Sequence, residues 1–362
     1  MRNTLVEVHI ADIHFGVIDP YTQLNILREQ FLNKIYNMNQ LDIISINGDL
    51  FNRKFLANSD AIRCANLFIN DLINISNKFN ATIILIHGTE SHDAHQLNMY
   101  ECYKSDRFRI IDHIQFIIVK GKTILCIPEE NNKNSEYYMS MFRCMDYDAC
   151  YMHGTYVGSI YGCNTPTLDG KRAVFELKDF WRCNGPVICG HVHIAQCLNK
   201  HVYYCGSPIR WMFGEEQPKG FLILCHNLET QEYYVGFEEI VSFQYKTLDL
   251  DEMLMSDPRE IINYLERLKS NGVDYIKLKI RKLPEVVPIL RDYFVDSNWM
   301  TIEDIRPKPD TTTVETKYTG LDFLTDPSLD EYTKFVMYVN SQEGEGFITI
   351  DKLKQILKED MK

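Results

Sequence analysis

Five short stretches of this 362-residue sequence carry residue types that hold divalent metal: Asp12-x-His14, Asp49 after Gly48, His92-Asp93, His153, and His191-x-His193 after Gly190. Carboxylate and imidazole together suit Mn²⁺, Fe²⁺ or Zn²⁺ better than Ca²⁺, which prefers oxygen alone. Two such ions roughly 3.5–4 Å apart need a carboxylate between them. Asp49 is the natural bridge. In His191-x-His193 on a turn, alternate residues can point to separate ions. An ion pair of this kind polarises phosphoryl oxygens, generates hydroxide and stabilises a departing oxygen. Taken singly, Asp12 reads as a turn residue, and His92 and His153 as ordinary surface or core histidines. Their succession along the chain gives them weight.

The hydrophobic pattern supplies an element for each group. Leu5–Ile10, Asp42–Ile46 and Thr82–Ile86 read as strands running toward Asp12, Asp49 and His92. Between them, Tyr21–Tyr36 places Leu24, Ile26, Leu27, Phe31 and Ile35 at near-helical spacing. Ser59–Ile75 reads as an amphipathic helix capped by Ser59 or Asp60. This βαβαβ rhythm predicts parallel strands with crossover helices, and in open parallel sheets ligands collect beyond the carboxyl ends of the strands. From Ile114 the character changes. Ile114–Val119 and Thr123–Ile127 flank Lys120-Gly121-Lys122 as a hairpin, and further strands are expected at Ala149–Met152, Pro186–Cys189, Val202–Cys205, Phe221–Cys225 and Tyr233–Phe237. Asn131–Asn134 and Asn164–Asp169 read as loops. The expected fold class is α/β, with two sheets face to face and helices outside.

Near Phe243–Lys246 the metal-type residues stop and a small α/β module follows. A helix opens at Asp257-Pro258, with Pro258 suited to its first turn, and runs through Leu268. Tyr275–Ile280 reads as a strand, Val286–Phe294 as a helix and Met300–Ile305 as a strand. Pro307–Thr313 is linker-like. Asp326–Lys362 holds two amphipathic helical stretches, Ser328–Val339 and Asp351–Lys358.

The composition is ordinary for a globular protein, 45% hydrophobic and 24% charged. With 38 Lys+Arg against 50 Asp+Glu the net charge is −12, so overall charge cannot attract a phosphate backbone. Nucleic acid would need local patches, metal ions or a partner. The 11 cysteines form no CxxC pair, which argues against a zinc ribbon. No run approaches the roughly 20 apolar residues that span a bilayer, and the first residues lack a signal pattern. A reduced, intracellular protein away from the membrane is expected, with cysteines serving as small core residues.

Asp12-x-His14, Gly48-Asp49, His92-Asp93, His153 and Gly190-His191-x-His193 resemble the motif series of calcineurin-like metallophosphoesterases. His14-Phe15-Gly16, Gly48-Asp49-Leu50-Phe51, Tyr204-Cys205-Gly206-Ser207-Pro208 and Pro218-Lys219-Gly220-Phe221 resemble the SbcD-type repair nucleases, cellular or phage-encoded, in particular. The resemblance covers about Leu5 to Pro307. It implies a four-layer α-β-β-α sandwich of two mixed sheets over residues 1–242. It further implies a DNA-capping α/β domain at 243–310, a linker at 311–325 and a helical motif at 326–362 that grips an SbcC-type coiled-coil ATPase. It implies two divalent ions, most naturally Mn²⁺, one held by Asp12, His14, Asp49 and His193, the other by Asp49, His153 and His191. His92 would be the acid or positioning group at the scissile phosphate, a role suited to imidazole near pH 7. DNA ends and single strands would be the substrates. A homodimer and a cytoplasmic, nucleoid-associated setting in a bacterial or phage-infected bacterial cell are also implied.

Two positions depart from that pattern. The family reads Gly-Asn-His-Asp, with the Asn a ligand of the second ion, whereas this chain reads Gly88-Thr89-Glu90-Ser91-His92-Asp93. Ser91, Thr89, Glu90 or water is left to supply that oxygen. After Phe51 the family often carries His, where this chain has Asn52, followed by Arg53 and Lys54. Arg53 and Lys54 are candidates for substrate phosphate contact. So are Lys277 and Lys279, which alternate with Arg281 and Lys282 along a strand and its exit. Tyr156, Tyr161, Trp211 and Phe213 are read as core or rim aromatics, with stacking on DNA ends the sharper option. His9, His113, His87 and His95 are read as structural. Two other readings stand beside the nuclease: a small-molecule or phosphoprotein phosphoesterase, and a metal-stabilised, catalytically weak DNA-tethering scaffold.

Overall fold

Strand β1 (Thr4–Ile10) leads into a helical stretch, α1 (Pro20–Leu27) and α2 (Asn33–Tyr36), joined by a π-helical turn at Arg28–Leu32. Then follow β2 (Ile43–Asn47), α3 (Asp60–Phe79), β3 (Thr82–Ile86) and β4 (Phe108–Ile111). The next run is β5 (Gln115–Val119), β6 (Lys122–Ile127), α4 (Ser135–Phe142) and β7 (Ala149–His153). Four two-residue strands come after it: β8 (Thr155–Tyr156), β9 (Ile160–Tyr161), β10 (Thr165–Pro166) and β11 (Val174–Phe175). The body closes with β12 (Val187–Gly190), β13 (Gln196–Leu198), β14 (Val202–Tyr204), β15 (Gly220–Asn227) and β16 (Tyr233–Glu239). These bounds come from a computed structural model, which describes residues 4–305 save 94, 131–132, 143, 162–164, 167–173, 254 and 284. The expected linker, both helices of 326–362 and parts of the loops at 131–134 and 164–169 lie outside the described residues.

One six-stranded sheet runs β16-β15-β1-β2-β3-β4, with β1 to β4 parallel and β15 antiparallel to β1. The other runs β13-β14-β12-β7-β6-β5, with β14, β12, β7 and β6 parallel. The period-two alternation of strand side chains sorts residues into layers. Ile44, Ile46, Ile83 and Leu85 face α1 and α3, packing with Leu24, Phe31, Phe68 and Leu72. Leu125, Ile127, Cys150 and Met152 face α4, packing with Tyr138 and Phe142. Ile43, Ile84, Ile124, Cys126 and Ile188 meet between the sheets. The result is a helix–sheet–sheet–helix sandwich. Each fully buried aliphatic side chain contributes about 1.5–3 kcal/mol.

The inter-sheet layer also holds a polar group. Glu7 and His9 on β1 face Lys122 on β6 and Tyr151 on β7, all fully buried. Lys122 Nζ donates to Glu7 Oε1 at 2.6 Å and to the Tyr151 hydroxyl at 3.0 Å, and Tyr151 donates to the other oxygen of Glu7. Burial alone would raise the Glu7 carboxyl, but the charge of Lys122 and the hydrogen bond and charge of His9 outweigh it and hold it at about 2. His9, fully buried with its ring 4.6 Å from that of Tyr151, is a core histidine, as its place within a strand suggests.

A separate three-stranded parallel sheet is formed by β17 (Tyr245–Asp249), β18 (Tyr275–Ile280) and β19 (Met300–Asp304), covered by α5 (Pro258–Ser270) and α6 (Val286–Tyr293). Its own core contains Leu248, Ile261, Leu265, Ile276, Leu278 and Leu290. Asp257 caps α5 by accepting from the Arg259 N–H, and Pro258 sits in the first turn.

Three elements lack a readable sequence pattern. β17 buries only Leu248, so no alternation marks it. β4 is four residues long and interrupted by Arg109. In α4 the buried residues Tyr138 and Phe142 are one helical turn apart in an otherwise mixed segment. Within the stretch expected as a loop, Thr165–Pro166 pairs with Ile160–Tyr161. Among the described residues no helix is long and apolar enough to cross a membrane.

Candidate metal centre

The metal-type residues lie at or just past the carboxyl ends of parallel strands in the two facing sheets: Asp12 and His14 after β1, Asp49 after β2, His92 after β3, His153 ending β7, His191 and His193 after β12. The turns after β1 and β2 are zipped together. Asp12 N–H donates to Gly48 O at 3.1 Å, His14 N–H to Asp49 O at 3.0 Å and Phe15 N–H to Leu50 O at 2.9 Å. Asp12, His14 and Asp49 adopt left-handed φ values of 51°, 51° and 53°, and His191 one of 94°. Such conformations cost roughly 1–3 kcal/mol each and survive only where surroundings enforce them, typically at functional sites. Asp93 is one enforcer. Its buried carboxylate accepts from Gly88 N–H and Asp49 N–H at 2.9 Å and from Phe51 N–H at 3.1 Å.

The side chains converge. Ligand atoms of Asp12, His14 and His193 lie within 4.8 Å of one another, as do those of Asp12, Asp49 and His153, and those of Glu129, His153 and His191. Asp49 Oδ2 lies 3.7 Å from His14 Nε2 and 3.4 Å from His153 Nε2, between the two halves of the cluster. Asp12 accepts the His191 N–H on both oxygens, at 2.9 and 3.1 Å. Two imidazole pairs aim nitrogen at nitrogen: His14 Nε2 and His193 Nε2 at 3.2 Å, His153 Nε2 and His191 Nδ1 at 3.3 Å. His153 Nδ1 faces the Asn47 carbonyl at 2.8 Å, so it carries the proton and Nε2 points into the cluster.

The electrostatics fit cations. Burial pushes the His14 imidazole down to about 4 and that of His193 well below its ordinary value, leaving lone pairs for ligation. Burial together with the charge of Asp49 raises Asp12 to about 7, although His153 opposes this. Burial also opposes protonation of His153, but Asp49 overcomes it and raises the ring to about 10. Such an arrangement of buried carboxylates against imidazoles is what divalent ions stabilise. The residues present therefore fit a pair of metal ions, with Asp49 in the shared position.

His92 belongs to the same cluster, its ring 4.6 Å from that of His14. Its Nδ1 faces the carbonyl of Asn52 at 2.5 Å. Arg53 and Lys54 follow directly and are exposed. The Arg53 guanidinium lies 5.3 Å from the Phe55 ring, and Lys54 lies 3.9 Å from Glu90. Lys277 Nζ lies 5.0 Å over the Phe213 ring, and Lys279 shares its face of β18. Tyr156 is buried, whereas Trp211 lies 5.3 Å from the His14 ring and 5.0 Å from that of His193. A groove of about 260 Å³ opens beside His191 and His193, lined also by Tyr161, Met212, Phe213 and Glu215.

Of the oxygens considered for the third turn, Glu90 and Ser91 are exposed. Thr89 is buried, with its N–H on Asp49 Oδ1 at 2.6 Å and its Oγ1 3.4 Å from His153 Nε2. The side chain absent from the sequence reading is Glu129, two residues past β6. The signal for it was its place: it follows an apolar strand as the other donors do. Lys219, part of the Pro218-Lys219-Gly220-Phe221 motif but given no role by the sequence, is a second addition. It is buried and donates to His193 O at 2.9 Å, Ser207 Oγ at 2.8 Å and Glu215 Oε1 at 2.8 Å, fixing the turn that carries His193.

No protein-family model matches the chain. A protein of Invertebrate iridescent virus 6 named "Putative phosphoesterase 244L" is 23% identical over 267 residues, which is 67% of this chain and 88% of that protein. A solved structure titled as the protein of unknown function AQ665 from Aquifex aeolicus covers 48% of this chain and 89% of its own at 17% identity. The TM-score of that match is 0.24. The chain is thus similar to a phosphoesterase, and its histidine and carboxylate clusters have the donor chemistry of a metal-dependent one.

Proposed function

We propose that this chain is a two-metal phosphodiesterase acting on DNA, the nuclease subunit of an SbcCD-like repair complex. The observation that carries the reading is the position of Asp49, with one carboxylate oxygen between His14 and His153 and His92 beside the same cluster. Asp12, His14, Asp49 and His193 would hold one ion, and Asp49, His153 and His191 the other. When bound, such ions supply positive charge for phosphoryl oxygens and activate water as a nucleophile. His92 is oriented by the Asn52 carbonyl through Nδ1, which leaves Nε2 to donate to a phosphoryl or leaving oxygen when the ring is protonated. Arg53 and Lys54 follow Asn52, whose carbonyl faces His92, and would meet flanking phosphates. The module at 243–310 would cap the DNA, with Lys277 over Phe213 at the groove. The segment 326–362 would supply the motif that docks on the coiled-coil ATPase, and the chain would act as a homodimer.

The test is hydrolysis of labelled duplex and single-stranded DNA with Mn²⁺, set beside a generic aryl phosphodiester. His92→Ala should lower kcat on DNA by about 10²- to 10⁴-fold, the usual worth of a general acid. Equal digestion by wild type and variant removes His92 from the chemistry. A preference for the aryl diester by orders of magnitude favours a small-molecule phosphoesterase. One bound ion and no turnover at saturating Mn²⁺ favours the tethering scaffold.

A further inference from the structure

We propose that Glu129 is a metal ligand, completing the second site with His153, His191 and the shared Asp49. The inference rests on the two-metal reading above and assigns that site a second anionic oxygen, beyond that of the shared Asp49, from outside its sequence motifs. Glu129 Oε2 lies 3.3 Å from His191 Nδ1 and 3.7 Å from His153 Nε2, so one carboxylate oxygen faces the ligating edges of both rings. A single ion could be reached by all three groups, whose ligand atoms lie within 4.8 Å of one another.

The backbone that carries Glu129 is held in place. Its N–H donates to the His87 carbonyl at the end of β3, at 3.3 Å. On one side the buried Tyr138 of α4 donates to Pro128 O at 3.3 Å, and on the other it accepts from Glu130 N–H at 2.8 Å. Thr89 Oγ1 donates to Glu129 Oε2 at 3.0 Å, fixing the carboxylate from the third turn. Only about an eighth of the Glu129 side chain is exposed, at 13%. A carboxylate pinned on both flanks, hydrogen-bonded by a hydroxyl and aimed at two imidazoles has the features of a prepared ligand.

The consequence concerns charge. With Glu129, three carboxylates face the pair of ions instead of two, and the second site gains a formal negative charge. That favours occupancy by hard divalent ions such as Mn²⁺, which take carboxylate oxygen readily.

The experiment is titration of the full metal-stripped chain with manganese(II) chloride, reading stoichiometry and the two dissociation constants by calorimetry and by the Mn²⁺ EPR signal. Wild type, Glu129→Gln and Glu129→Ala are compared, with metal-free melting temperature as the folding check. Wild type should take two ions. Glu129→Ala should keep the tighter ion and weaken the other by at least about tenfold. Glu129→Gln should bind the second ion more weakly than wild type and no more weakly than Glu129→Ala, because it keeps an oxygen but loses the charge. If both variants hold two ions with wild-type affinity, Glu129 is not a ligand although the two-metal reading stands. If wild type itself takes fewer than two ions, that reading and this inference fail together. Where Glu129→Ala does not fold, Glu129→Gln decides alone, and unchanged affinity for the second ion overturns the proposal.

Discussion

His153 Nδ1 lies 2.8 Å from the carbonyl oxygen of Asn47, across the gap between the two sheets. The contact fixes the tautomer of a ring whose other nitrogen enters the metal cluster. It is possible because the next residue is Gly48, at φ +87°, where a Cβ would stand 2.1 Å from His153 Nδ1. Gly48→Ala should therefore act twice. The left-handed backbone alone costs about 1–3 kcal/mol, and the methyl group must displace the His153 ring. A lower denaturation midpoint and at least about a tenfold weaker second Mn²⁺ site are expected, since displacing a group that orients a ligand costs about that much. Both can be read from one purified variant. Wild-type stability with unaltered metal affinity would mean that the ring has room the structure does not show.

Much of this site can be read before folding. Asp12, Asp49 and His191 each follow a run of apolar, mostly β-branched residues, so strand end and chemical residue coincide. Asp and His are also among the residue types that most readily tolerate the left-handed φ adopted at these three positions. Glu129 is different. It also follows a strand, but what makes it a candidate ligand is set by distant residues: the His87 carbonyl, the Tyr138 hydroxyl from α4 and the Thr89 side chain. None of these is encoded by spacing. The sandwich was legible from the succession of short apolar runs, because adjacent residues such as Ile43 and Ile44 face opposite sides of one sheet and both are buried only when that sheet is covered on both faces. The strand Tyr245–Asp249 was not, since it buries a single side chain.

The buried Glu7–Lys122 pair predicts a pH effect remote from the metal cluster. The Glu7 carboxyl falls from an ordinary 4.5 to about 2 in the folded protein, because Lys122 and the hydrogen bonds around it overcome burial. A depressed folded value means that the stabilisation is whole above about 4.5 and is lost as pH falls through about 2. Glu7→Gln should remove that part of the acid limb in a plot of unfolding free energy against pH. At neutral pH it should cost about 3–5 kcal/mol, because it strands the Lys122 ammonium in the core. Adding Lys122→Met should recover much of the loss, since removing both partners removes the uncompensated charge. Urea unfolding of the two single variants and the double variant checks this. Strictly additive losses would mean that the two groups are not coupled.

The small module makes a prediction specific to DNA as substrate. Along β18, Ile276, Leu278 and Ile280 are buried while Lys277 and Lys279 share the opposite face. Lys277 Nζ sits 5.0 Å over Phe213, whose ring meets Tyr245 at 5.2 Å and lines the groove beside His191 and His193. A cation held there can reach a phosphate of a strand entering the groove. Each such contact releases counterions and adds about 0.7–0.9 to the slope of log affinity against log salt. Lys277→Ala should therefore weaken DNA binding and lower that slope by about one contact, whereas Lys277→Arg, which keeps the charge, should retain it. Fluorescence anisotropy with labelled duplex across a salt series gives both quantities. An unchanged slope in Lys277→Ala would assign the lysine to packing on Phe213, because a phosphate contact cannot be lost without altering the number of ions released.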